Sequence, residues 1–396
     1  MRWEHSLSAD TYDFSTGNYG TAGITGLTAD GFSLDSSAAV NQSATAMYYI
    51  AWNQNSSYFT LGSYTGNGAD NRNITGIGFE PELIFTRQLG GSNYIDYKPE
   101  STGYNVDRAV FGDGWAGAAN YIQALQTDGF QVGTNSEVNQ NGTSYSYFAF
   151  KQNEAPLIVD TTSDTSDGTT TSINALRAGK GADGRISLRE AILATNATRN
   201  VNGTVDQIQF AIPGTGVQTI TVGSSGFATI SDAVSIDAWT QSGWNNSPLI
   251  ELNGNNSGTT KEGFDLVAGS SGSTIRGFII NRFTGNGIEI NSSNNHVIEG
   301  NWIGLNNTGT AASANALRGL YAINATGLTI GGTSAASRNV ISGNTQQGIY
   351  FDNVDNSFVY GNYVGTNVAG SYYQMLCPAR NWSGDDFGMS CRGFVV

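Results

Sequence analysis

The 396-residue chain carries 52 glycines, only 6 prolines and a net charge of −14 at pH 7, with 18 basic residues scattered along it. That balance excludes an electrostatic footprint for nucleic acid or anionic lipid, and the length leaves room for two or three domains. Charged residues make up 13%, about half the usual share, so solubility rests on Asn, Gln, Ser, Thr and Tyr. Such a composition suits short strands joined by tight turns, and an extracellular or cell-surface setting. Cys377 and Cys391 are the only cysteines and both lie near the end, so no disulfide framework holds the main body. The N-terminal stretch has no apolar h-region, and no run approaches the length of a membrane span.

In chain order, the first elements are a repeat. "DGFSLDSSAAVNQSATAMYYIAWNQ" (Asp30 to Gln54) aligns without a gap with "DGFQVGTNSEVNQNGTSYSYFAFKQ" (Asp128 to Gln152) at an offset of 98. Residues 58–153 then form one complete unit. Residues 1–57 hold only the back part of another, so the chain is expected to begin inside a domain. Runs such as "PELIFTRQ" and "YSYFAF" alternate apolar and polar residues between "TGNGADN" and "NQNGTS", which predicts an antiparallel β-sandwich. Together, "YTGNGADNRNITGIGFEPELIF" and "DGFQV…YFAF" resemble a β-sandwich module of phage tail proteins and large bacterial surface proteins.

Residues 154–200 read as a linker and a capping helix. In "GADGRISLREAILATN", Ser187 as N-cap and Glu190 three residues on predict a capping box, with Leu188, Ala191, Ile192 and Ala194 on one apolar face. Calcium is the alternative there. Asp183, Gly184, Ile186 and Glu190 match four positions of an EF-hand loop, but Gly179 and Gly181 stand where two oxygen ligands belong. The reading is therefore no metal and no cofactor, with Asp183 and Glu190 as the calcium candidates. In "DTTSDTSDG", Asp160, Asp164 and Asp167 read as an acidic solvated loop.

Residues 201–371 repeat differently. "GFIINRFTGNGIEINSSNNHVIEGNWIGLNNTGT" aligns with "NVISGNTQQGIYFDNVDNSFVYGNYVGTNVAGS" at an offset of 61, and Gly319-Leu320 supplies an intermediate start 32 residues after Gly287 and 29 before Gly348. Short apolar pairs punctuated by Gly and Asn at coils of about half that offset predict a right-handed parallel β-helix, with Asn at equivalent corners able to form side-chain ladders. A resemblance points the same way. "ISLREAILATN", "VDQIQFAIPGTGVQTITV", "ISDAVSIDAWTQSGW" and "VIEGNWIG" resemble a family of bacterial right-handed β-helix proteins opened by a Cys-Ser-Leu-Arg-Glu-Ala motif, over residues 157–371. Ile186 replaces the motif's cysteine, which removes thiol chemistry there. Residues 372–396 abandon the repeat and read as a divergent or non-native tail.

The predicted fold class is thus all-β: antiparallel sandwich modules followed by a right-handed parallel β-helix with a short N-terminal capping helix. A lyase or hydrolase on such a fold needs carboxylates and a base converging on one exposed face. At the offset of 61, Glu289 aligns with Tyr350 and Glu299 with Tyr360, so the acids do not stack through the repeat. Asp232, Asp237, Glu251 and Asp265, with Arg276 and Arg282, remain as catalytic candidates against a reading as solvated turn and face charges. His5 and His296 support no triad, His296 reading as a surface or corner residue. Trp302 and Tyr363 fall at equivalent positions two coils apart, roughly 10 Å, a spacing that suits stacking on alternate sugars as well as aromatic packing along the wall. Trp115, Trp239 and Trp244 are further aromatic candidates. The expected function is non-catalytic display and adhesion to a polysaccharide or cell-surface glycan. The alternatives are a polysaccharide lyase or hydrolase of pectate-lyase-like or tailspike type, which as a tailspike would be a trimer on a virion tail, and a structural spacer.

Overall fold

A computed structural model describes residues 58–89, 95–99, 119–151, 155–200 and 204–371, with short segments at 2–3, 11–13, 19–20, 24–28, 31–34, 43–44, 110–111, 387–389 and 394–395, and residue 36. His5, Trp115, both cysteines and most of the first repeat copy lie outside the described residues. The chain divides into two compact units, Met1–Asn153 and Glu154–Val396.

In the first unit, strands Phe59–Thr65, Pro81–Gln88, Asp96–Pro99 and Ser144–Lys151 pair antiparallel in one sheet with Val110–Phe111 at its edge. Arg72–Thr75, Ile122–Gln126 and Gly129–Val132 form a second. Alternation turns Tyr64, Ile84, Tyr145 and Tyr147 from the first sheet and Ile74, Ile122, Phe130 and Val132 from the second into a single core. Glycine is required at position 129, where φ is +154° and a Cβ would lie 1.9 Å from the Ile74 carbonyl oxygen.

The second unit is built from three parallel sheets that the chain visits in rotation. The first contains Leu157–Val159, Asp206–Phe210, Val234–Asp237, Thr274–Arg276, Val297–Glu299, Thr329–Gly331 and Phe358–Tyr360. The second contains Gln218–Thr221, Ile250–Asn253, Phe278–Asn281, Trp302–Ile303, Val340–Ile341 and Tyr363–Val364. The third contains Phe264–Leu266, Ile288–Asn291, Leu320–Thr326 and Ile349–Asp355. Two short segments, Phe387–Met389 and Phe394–Val395, pair antiparallel with the last strands of the third and second sheets. They belong to the stretch that departs from the repeat.

Register is set by what faces inward. Leu157, Ile208, Ile236, Ile275, Ile298, Ile330 and Val359 follow one another strand to strand on the first sheet. Ile220, Leu252, Ile280, Ile303, Ile341 and Val364 do so on the second. Phe264, Ile288, Leu320 and Ile349 do so on the third. The core is continuous from Leu157 to Val364. A slip of one residue would turn a whole row outward, at about 1.5–3 kcal/mol per side chain. The partners of Ile288 and Leu320 reproduce the spacings of 32 and 29 that separate Gly287, Gly319 and Gly348.

The corners carry the expected asparagines. The Asn301 side chain donates to Asn339 Oδ1 at 3.1 Å, and that of Asn339 donates to Asn362 Oδ1 at 2.9 Å. Each amide also donates to a backbone carbonyl, of Ile275, Ile298 and Ile330 respectively. Asn315 and Asn344 form a second, shorter ladder at 2.9 Å. Asn324 and Asn353, with φ of 51° and 54°, hold left-handed turns at equivalent places on the third sheet.

Candidate functional site

The helix Leu188–Asn196 starts at a formed capping box. Ser187 Oγ accepts from Glu190 N at 3.2 Å and Glu190 Oε2 accepts from Ser187 N at 2.9 Å. Leu188, Ala191, Ile192 and Ala194 are buried in the same core as the first coils. Glu190 does more than cap: its Oε1 also accepts from Asp167 N at 2.9 Å and Gly168 N at 2.7 Å. Asp183 Oδ1 accepts instead from Arg185 N, so the two calcium candidates serve separate backbone donors. Among the described residues no group of three His, Cys, Asp or Glu is arranged to hold a metal.

Asp160 and Asp164 of "DTTSDTSDG" depart from the expected solvated loop because they are half-buried and tied to other segments, whereas Asp167 stays exposed. Asp160 accepts from Ile186 N and Asp167 from Ala182 N. Asp164 takes Arg189 in a two-pronged pair at 3.0 and 2.6 Å and also accepts from Gly223 N. Residues 25 and 59 positions apart are involved, a distance at which sequence spacing carries no information.

The six catalytic candidates do not converge. Asp237 and Arg276 are neighbours on the first sheet, 2.6 Å apart, and Arg276 reaches Glu299 on the next coil at 3.5 Å. The Arg276 guanidinium lies 4.5 Å from the Trp239 ring, which packs on Trp244 at 5.2 Å. The hydrogen bond to Asp237, opposed by burial, raises the Arg276 pKa. Glu251 belongs to the second sheet and is 4% exposed; Thr219 Oγ1 and Asn281 Nδ2 donate to it, and Arg282 stands 4.0 Å away. The carboxylates of both pairs are thus compensated and largely buried, whereas Arg276 and Arg282 keep 31% and 43% of their side chains exposed. Asp232 is half-buried at a corner, its pKa raised by burial.

Trp302 and Tyr363 occupy one register column with Val340 between them. Each ring leans on a glycine of the loop that follows it: Trp302 on Gly309 and Tyr363 on Gly370. Arg338 lies 4.2 Å from the Tyr363 ring. Both rings therefore serve their own loops. His296 is fully buried at its corner, where Nε2 pairs with Ser293 Oγ at 2.9 Å and burial pushes its pKa down to about 4. It is a neutral packing residue rather than a surface one.

Asp265 leads to a different arrangement. On the outward side of the third sheet, Asp265, Glu289, Tyr321 and Tyr350 are in-register neighbours on four successive coils, spanning about 14 Å. Asp265 and Glu289 do stack, although the acids show no stacking at the offset of 61, because this coil is 24 residues long. Glu262 joins them from the preceding segment, its carboxylate lying against Gly285, where a Cβ would come within 2.4 Å of Oε1. Asn286 Nδ2 donates to Glu289 at 2.9 Å. Burial, then Glu289 and Asp265, push the Glu262 carboxyl up to about 7. Burial, then Glu289, push Asp265 up to about 6. At the other end the Tyr321 and Tyr350 rings lie 5.7 Å apart, with the Arg318 guanidinium 4.6 Å from each. The column thus joins acceptor-rich carboxyls to an aromatic pair, the two kinds of surface that hold a sugar's hydroxyls and its apolar face.

A family model described as a domain of unknown function (DUF7483) matches residues 54–181. No curated protein matches the chain. Among solved structures, two variants of the catalytic domain of GH87 alpha-1,3-glucanase in complex with nigerose are 11% identical, with 77% of this chain and 63% of theirs covered, at a TM-score of 0.23. The same catalytic domain in complex with nigerose in a third structure is 12% identical over 78% of this chain and 62% of its own, at 0.20. The chain thus spans less than two thirds of the length of these glucanase domains.

Proposed function

We propose that residues 154–371 form a right-handed parallel β-helix of the kind opened by a Cys-Ser-Leu-Arg-Glu-Ala-type motif, and that its third sheet binds glycan for an extracellular surface or phage-tail adhesion protein. Handedness rests on the strong preference of parallel connections for the right-handed sense. The glycan reading is carried by one observation, the in-register column Asp265, Glu289, Tyr321 and Tyr350. Tyr321 and Tyr350, rather than Trp302 and Tyr363, are the stacking residues. Retention of the chain in native gels cast with different polysaccharides tests this: Tyr321→Ala and Tyr350→Ala should each lose retention while keeping the unfolding midpoint within 2 °C or so of the parent. Equal retention of both variants would sink the assignment.

A second reading has its own support. A Glu262 carboxyl at about 7 beside an Asp265 carboxyl at about 6 is the electrostatic pattern of an acid and a base sharing a glycosidic bond. Shortened chains or unsaturated products after incubation with polysaccharide would favour that enzyme over a binding face. Silence on every glycan would leave the structural spacer.

A further inference from the structure

The outer column of the third sheet contains a like-charge strand pair of a kind that the other paired strands of the stack do not show among the described residues. Asp265 and Glu289 lie directly opposite one another on neighbouring strands, about 4.8 Å apart along the backbone, and Glu262 faces the same pair. Like charges at such positions destabilise a sheet. The other charged and titratable groups at this face are Lys261 next to Glu262, and Arg318, Tyr321, Tyr350 and Asp352 towards the far end. Arg318 lies across the two tyrosine rings, two coils on from Asp265. On the first sheet, by contrast, Arg276 separates Asp237 from Glu299.

We propose that Glu262, Asp265 and Glu289 form a proton-dependent lock on the third sheet: with protons on Glu262 and Asp265, the trio holds neighbouring coils together and admits an anionic glycan to the tyrosine pair; with those two groups ionised, it loosens the coils and repels that glycan. The part concerning glycan rests on the binding face proposed above; the part concerning stability does not.

The sign follows from the chemistry. An unfolded Asp or Glu releases its proton near pH 4, whereas the folded face holds protons on Asp265 and Glu262 up to about 6 and about 7. Between those values the folded state binds more protons, so stability is greatest below the window and is lost as pH rises through it. Most carboxylates contribute in the opposite sense.

The experiment uses the full chain and measures thermal unfolding from pH 5 to 8, together with amide exchange in Ile288–Asn291 corrected for the intrinsic pH dependence. The parent should lose about 2–4 °C between pH 5.5 and 8, with protection of that strand falling alongside. Glu289→Gln should make both dependences shallower and raise the midpoint at pH 8. A slope unchanged in Glu289→Gln and in Glu262→Gln, or strand protection that rises with pH, would overturn the lock. Local exchange keeps the test decisive even when another part of the chain unfolds first. In the second arm, polygalacturonate retention should be several-fold greater at pH 5.5 than at 8, and the double variant E262Q/E289Q should retain it equally at both. Retention by the parent that ignores pH refutes the proton control of binding. No retention at either pH refutes the glycan reading, and the unfolding slope then decides the lock alone.

Discussion

On the first sheet Asp237, Arg276 and Glu299 succeed one another with alternating sign, whereas on the third Asp265 and Glu289 meet as like charges and are followed by two tyrosines. Both columns point outward from the same stack with the same strand pairing. One has every charge answered within hydrogen-bond or ion-pair distance; the other keeps an electrostatic cost that packing does not require. Such uncompensated cost is where a folded surface retains chemistry for something other than its own stability. The capping lobe extends the first pattern, since Glu190 alone satisfies three backbone N–H groups.

Breaking the compensated charges should therefore destabilise, and breaking the uncompensated ones should not. The largest effect is expected for Glu190→Ala, which strands the buried Ser187 donor and the part-buried donors of Asp167 and Gly168 and should cost about 3 kcal/mol. Ser187→Ala removes the cap and the hydroxyl's bond to the Thr165 carbonyl and should cost about 0.5–2 kcal/mol. Urea unfolding separates the two, and added calcium should leave both the parent and Glu190→Ala unmoved. Arg276→Met leaves Asp237 without its cation and should cost about 2 kcal/mol; a neutral result would mean that solvent already screens the pair. The smallest effect carries the opposite sign. Asp265→Asn should gain about 0.5 kcal/mol at pH 8 by removing a like-charge contact, and that gain should vanish by pH 5.

The coil stack was legible because inward residues repeat. Gly287, Gly319 and Gly348 mark three coil starts, and the isoleucine rows leave only one register. The helix start was equally legible, since Ser187 and Glu190 interact within a single turn. The outer face was not. Coils from Asp265 to Glu289, Glu289 to Tyr321 and Tyr321 to Tyr350 differ in length by up to 8 residues, with the variation lying in turns, so a fixed offset pairs Glu289 with Tyr350 and passes over its true neighbours, Asp265 and Tyr321. For the same reason Asp237, Glu251 and Asp265 looked like one constellation, although each belongs to a different sheet. Ion pairs such as Asp164 with Arg189 depend on two segments meeting in space, and no local pattern announces them.

The asparagine corner has a mechanical consequence. Asn301, Asn339 and Asn362 each grip a neighbouring coil's amide and a backbone carbonyl at once, so tension between these three coils is carried by several bonds in parallel. A pulled chain would yield by whole coils rather than strand by strand, remaining stiff until an entire turn lets go. A stack so built lengthens under load in discrete increments.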